Sequence, residues 1–114
     1  MLAVVLALAP ALQATEPICG QRGTASWYGR ECSSTASGEH YDPNSMTAAH
    51  RTLPFGTMVR VTNFASQRSA VVRINNRGPF CKHRIIDVSQ AAARKLAMIG
   101  SGTASVAIQV IARR

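Results

Sequence analysis

Apolar and polar residues alternate in short runs along this chain, a period of two that turns one face of each run toward a core and the other toward water. The pattern is clearest in TMVRVTN (57–63), where Val59 and Val61 fall on one side and Met58, Arg60 and Thr62 on the other. GTASWYG (23–29) alternates in the same way. SAVVRIN (69–75), RIIDVS (84–89) and SVAIQVIA (105–112) are rich in β-branched residues and bounded by Gly, Pro, Ser or Asn. FASQR predicts a hairpin joining TMVRVTN to SAVVRIN. One helix is expected in SQAAARKLAMIG (89–100): Ser89 serves as N-cap, the alanines have high propensity, Arg94 and Lys95 lie toward the C-terminal half, and Gly100 closes it. Several short strands with one helix and long turns read as a small, mostly antiparallel barrel.

A chain of 114 residues is a single domain, burying roughly two-thirds of its unfolded surface. Its opening, MLAVVLALAPALQA, resembles the apolar region and small-residue cleavage site of a secretory signal, without the basic residues that normally precede them. It is too short to span a bilayer. The expected organisation is a signal peptide at 1–14, a leader at 15–22 and a barrel domain at 23–112; an upstream start, or a first strand in the apolar run, is the other reading. Three cysteines in a chain bound for an oxidising compartment suggest one disulfide and one spare thiol, with Cys32–Cys81 as the expected pair and Cys19 left over. His40, His50 and His83 are isolated and no C-x-x-C occurs, so neither a metal nor another cofactor is expected.

The formal net charge of +8 favours an acidic polymer as neighbour. Nucleic acid fits poorly: the basic residues are scattered from Arg22 to Arg114 in runs of at most two, and only six aromatics are available for stacking. A cell-wall glycan bearing carboxylates answers to the same field. The charge also serves simply to keep a small secreted domain soluble.

GTASWYG, TASGEHYD, TAAHRTLPFGTMVRVTN, VVRINNRGPF and RIIDVSQAAARKLAM, in that order, resemble the double-psi β-barrel domain of the RlpA-like proteins, periplasmic lytic transglycosylases that act on peptidoglycan. The resemblance covers nearly all of residues 23–112. It implies a mainly β fold, a six-stranded double-psi β-barrel with one or two short helices. It also implies cleavage of MurNAc–GlcNAc bonds with formation of anhydro-muramic ends by an exported monomer, with peptidoglycan strands as partner and neither nucleic acid nor membrane insertion. The lipoprotein cysteine signature and the C-terminal glycan-binding repeat of longer members are not found in this sequence, so a bare barrel is expected.

The family's turn reads Asn-Asp-Arg-Gly-Pro, with its Asp in the active cleft, whereas this chain has Asn76 there, in RINNRGPF. An amide cannot donate a proton as a carboxylic acid can. A lytic transglycosylase uses the muramic 6-hydroxyl as its nucleophile, so one carboxyl can act first as acid and then as base, where ordinary glycosidases need two. Of five carboxylates, Glu16 falls in the leader and Glu31 beside Cys32, which leaves Glu39, Asp42 and Asp87. Glu39, in TASGEHYD, resembles the family's active-site glutamate, against a solvated turn carboxylate. Asp87 resembles the proton donor of expansins and related barrels, against a helix cap beside Ser89. His50 matches the cleft histidine, against a satisfied structural one. Trp27 and Tyr28 alternate, so one faces the groove and can stack on a sugar. Tyr41 and Asp42 are counted with the substrate-binding residues. Arg77 either pairs with a muramic carboxylate or serves the turn. Two readings result: a lytic transglycosylase whose acid is Glu39 or Asp87, or a non-catalytic, expansin-like wall-binding barrel in which Asn76 marks lost chemistry.

Overall fold

The computed structural model describes residues 20–29, 34–81 and 83–112. The expected signal segment, Glu16, Cys19, Glu31 and Cys32 lie outside them. Six strands form: β1 (Gln21–Trp27), β2 (Thr47–Ala49), β3 (Met58–Asn63), β4 (Arg68–Asn76), β5 (Arg84–Val88) and β6 (Thr103–Ala112), with helix α1 (Gln90–Lys95) between the last two. They close into a barrel in the order β1-β5-β2-β4-β3-β6. The pairs β1/β5 and β2/β4 run parallel and the other four antiparallel.

Alternation sets the inside of the barrel. Val59 and Val61 of β3, Val72 and Ile74 of β4, Ile86 and Val88 of β5 and Val106 of β6 are fully buried, while Arg60 between the two β3 valines is exposed. Small residues fill the tighter positions, Ala25 on β1 and Ala48 on β2. Gly23 is required where β1 crosses β5, since a Cβ there would stand 2.7 Å from the Ile85 side chain. The expected hairpin forms with Asn63 opposite Arg68. Asn63 ties it down, its Nδ2 donating to the Leu96 carbonyl and its Oδ1 accepting from the Ala65 N–H.

Three features depart from the pattern read in the sequence. The barrel begins at Gln21, two residues early, because Gln21 and Arg22 pair with Ile108 and Ala107. β2 is too short, at three residues, for any alternation to show, and all three are buried. The helix is shorter than 89–100 and is the one helix among the described residues. Ser89 caps it as expected, accepting from Ala92 N–H, but it ends at Leu96, not near Gly100. Leu96 and Met98 are both fully buried, and the chain turns between them through Ala97 at φ 60°. The N–H of Met98 reaches the Ala93 carbonyl and that of Ala97 the Arg94 carbonyl, the hydrogen-bond pair of a Schellman ending that usually holds Gly. Because the left-handed conformation costs a non-glycine residue about 1–2 kcal/mol, and glycine's extra chain entropy returns part of it, Ala97→Gly is expected to stabilise the fold by about 0.5–1 kcal/mol. Thermal unfolding should read this as a Tm higher by roughly 2–6 °C.

Candidate functional site

β5, β2 and β4 set one row of residues side by side across the barrel wall. Asp87 pairs with Ser26 on β1 and Ala49 on β2, and Ala49 pairs with Asn76 on β4. At about 4.8 Å per strand, Asp87 and Asn76 stand roughly 10 Å apart across the small Ala49 side chain. Ala49 itself is buried, and Asp87 and Asn76 on either side of it are partly exposed.

Glu39 occupies the β4 end. Its turn is fastened to β4 by Ser37 N–H donating to the Asn75 carbonyl and Ala36 N–H donating to Asn76 Oδ1. Arg73 grips the carboxylate with both terminal nitrogens, at 2.9 Å to Oε1 and 2.7 Å to Oε2. Asn75 donates from Nδ2 to Oε1 at 3.2 Å. The Arg73 hydrogen bonds, helped by Asn75 and by the guanidinium charge and opposed by desolvation, lower the Glu39 pKa to about 2. The side chain is 40% exposed, so the ion pair faces solvent. Asn75 is itself buried, and its Oδ1 has no donor; Glu39 alone fixes the orientation of that amide.

Asp87 occupies the β5 end, with 17% of its side chain exposed. It accepts from the Ser26 hydroxyl and, at 3.3 Å, from Arg84. It does not cap the helix, since Ser89 makes that bond.

His50 is buried and already committed. Its Nδ1 accepts the N–H groups of Thr52 and Leu53, both at 3.1 Å, so the proton sits on Nε2 and points at Gln21 Oε1. Burial, with Arg77 and Arg51 nearby, lowers its pKa. Arg77 clips the same turn, donating to the His50 and Leu53 carbonyls and lying 4.1 Å from the Phe55 ring centre. Tyr41 is buried, its hydroxyl donating to the Tyr28 carbonyl and accepting from Gln90 N–H, with the two tyrosine rings 4.6 Å apart. Trp27 packs against the core. Asp42 holds its own turn through Asn44 N–H and the Ser45 hydroxyl. Cys81 is exposed with a free thiol, so the expected bridge to Cys32 is not formed at that end. Among the described residues no cluster of His, Cys, Asp and Glu could hold a metal ion. A cavity of about 330 Å³ lies over β1, β6 and β3, lined by Arg22, Arg60, Thr62 and Gln109 among others, and no Asp or Glu lines it.

Residues 20–108 match the family model described as lytic transglycolase. The chain belongs to this family of RlpA-like double-psi β-barrels. It is 54% identical over 93 residues, 80% of its length, to the endolytic peptidoglycan transglycosylase RlpA of Neisseria meningitidis. It is 53% identical over 93 residues, again 80% of its length, to the protein of the same name from Vibrio cholerae. The chain spans 39% and 35% of the lengths of those relatives. Among solved structures the Streptomyces papain inhibitor superposes with a TM-score of 0.69 at 24% identity, covering 84% of this chain and 97% of that one, a likeness of fold.

In this RlpA-like barrel Asn76 and Asp87 flank Ala49 and the Glu39 turn is fastened to Asn75 and Asn76, while His50, Tyr41 and Arg77 are held by hydrogen bonds to neighbouring turns. The sequence reading missed Arg73, Ser26 and Arg84 and gave the amide of Asn75 no partner, although all four are direct partners of the two carboxylates. Arg73 and Asn75 are two apart on β4, and that spacing alone puts them on one face.

Proposed function

We propose that this chain is the catalytic barrel of an endolytic peptidoglycan lytic transglycosylase that is exported to the periplasm or cell exterior by its apolar first segment. It acts as a monomer, with no nucleic-acid partner and no membrane insertion. The observation that carries this reading is Glu39, a partly exposed carboxyl whose turn is pinned to the end of β4, in a chain about half identical to proteins named for that activity.

The chemistry needs a single carboxyl. Glu39, in its acid form, gives its proton to the glycosidic oxygen between MurNAc and GlcNAc as the C1–O bond breaks. The resulting carboxylate then takes the proton from the muramic 6-hydroxyl while that oxygen bonds to C1 and closes the anhydro ring. No water is consumed. Asp87 and Ser26, at the β5 end, accept sugar hydroxyls, and the +8 charge draws the anionic polymer in.

Asn76 keeps a defined task in this scheme. Its Oδ1 accepts Ala36 N–H and Arg77 N–H, both at 2.9 Å, so the position needs an acceptor that anchors the Glu39 turn. Asn76→Asp, which retains that acceptor, is expected to change the rate by less than about threefold. Asn76→Ala should lower it roughly tenfold or more, the equivalent of two hydrogen bonds at about 1 kcal/mol each. Initial rates of fragment release measure both.

A second reading, a wall-binding barrel without chemistry, draws on the ion pair that keeps Glu39 ionised at neutral pH. Digestion of purified sacculi followed by mass analysis separates the two. Muramic ends one water lighter than hydrolysis would leave support the enzyme, and co-sedimentation with sacculi without any product supports the binder.

A further inference from the structure

A proton donor held as a carboxylate is idle, and the contacts around Glu39 show what would release it. The pair is two-pronged and charge-assisted, the strong geometry for arginine and carboxylate, yet 36% of the Arg73 side chain is exposed. Its two terminal nitrogens each make one bond to Glu39 and a guanidinium has five N–H donors, so a second carboxylate can engage it from the solvent side. Around Glu39, β4 otherwise offers the neutral Asn75 and Asn76 and the turn offers Thr35 and Ser37, while His40 beside it is exposed. Among the described residues Arg73 is the one ion paired with Glu39.

We propose that a carboxylate of the bound glycan strand takes the Arg73 guanidinium from Glu39, and that Glu39, so released, becomes the proton donor. Arg73 is then a positioning and specificity residue that reads an anionic group on the substrate. The inference rests on the lytic reading above. Once the cation has turned to the incoming anion, Glu39 loses its stabilising partner and gains a like charge nearby; both changes favour uptake of one proton from solvent. Asn75, still donating to Oε1, leaves Oε2 as the oxygen that carries the proton, so the acid keeps its aim. Strands without a free carboxylate leave the resting pair intact.

The test uses glycan strands of matched length with their carboxylates either free or converted to methylamides, cleaved by the full chain and by Arg73→Gln. The wild type is expected to cleave free-carboxylate strands at least about tenfold faster in kcat, the rate equivalent of one pH unit in the acid's ionisation. In Arg73→Gln the ratio should fall to about one, with the pH profiles of the two strands coinciding. Arg73→Lys keeps the charge and loses the fork; it serves if Arg73→Gln does not fold, with a ratio reduced at least threefold. Strands with and without stem peptides identify the source: a preference on peptide-free strands assigns the lactyl carboxylate, and one confined to peptide-bearing strands assigns a peptide carboxylate. Equal wild-type rates on every pair of strands, or an undiminished ratio in Arg73→Gln, overturn the proposal. Absence of anhydro product from every strand overturns the lytic reading and the arming of Glu39 with it. Recognition by Arg73 is then read by co-sedimentation, where tighter binding of free-carboxylate strands by the wild type alone supports it and equal binding overturns it.

Discussion

Glu39→Gln is expected to lower release of anhydro-muramyl fragments from sacculi by roughly 10²–10⁴-fold, the range that a positioned general acid and base contributes. The amide keeps an oxygen for Arg73 and Asn75, so the turn should stay in place while the transferable proton is lost. Asp87→Asn retains acceptors for Ser26 and Arg84 and should cost far less. Fragment release by the two variants, measured side by side, decides between the carboxyls: loss in Asp87→Asn with activity kept in Glu39→Gln would move the acid to β5. The Glu39 substitution has a second signature. A folded-state pKa of about 2 against an ordinary value near 4.3 means that the ion pair's contribution to stability is present above the higher value and lost as pH falls toward the lower. Unfolding midpoints between pH 5 and pH 2 should fall more for the wild type than for Glu39→Gln. The effect is modest, because the pair faces solvent.

The largest stability effect is expected at His50. Replacing it with Ala leaves the N–H groups of Thr52 and Leu53 without their shared acceptor in a turn where Thr52 is exposed and Leu53 half-buried, at about 0.5–1.5 kcal/mol for each lost hydrogen bond. His50→Ala should therefore be destabilised by roughly 1–3 kcal/mol, and His50→Asn, whose Oδ1 falls close to the position of Nδ1, should recover a good part of that. Denaturant midpoints measure both. The pH dependence follows from the same geometry. Folding lowers the His50 pKa, so the unfolded chain binds the extra proton first. The contribution is complete above the unfolded value of about 6.5 and is lost as pH falls through the lower, folded value. Activity lost in His50→Ala but restored in His50→Asn would mark the histidine as scaffold, whereas an active site that needs imidazole itself would not be rescued.

The strands were legible wherever one face is buried. Val59 and Val61 against Arg60, and the β-branched runs of β4, β5 and β6, carry the period of two plainly. β2 was not, because three residues sealed on all sides have no polar face to alternate with. The end of the helix was misplaced because Gly100 is the conventional stop, while burial of both Leu96 and Met98 forces the turn one step after Leu96, through an alanine.

The sequence singled out the candidate carboxylates and not their partners. Composition left few acids to choose from, and motif resemblance pointed to Glu39 and Asp87. What they touch depends on which strands adjoin, and that is a property of the closed barrel. Arg77 stood out because it sits in a conspicuous turn, yet its guanidinium is occupied by the His50 and Leu53 carbonyls. Arg73, inside an unremarkable strand, is the arginine that meets Glu39. Asn76, open in sequence to being a hydrogen-bonding substitute or a mark of lost chemistry, is in the fold an acceptor for two backbone N–H groups.

Digestion of sacculi in water enriched in heavy oxygen tests the central claim most directly, because the two possible attacking oxygens come from different sources. If the muramic alcohol attacks, the new ends are anhydro rings that carry none of the label. Labelled reducing ends, or strands that are bound and left whole, would contradict it.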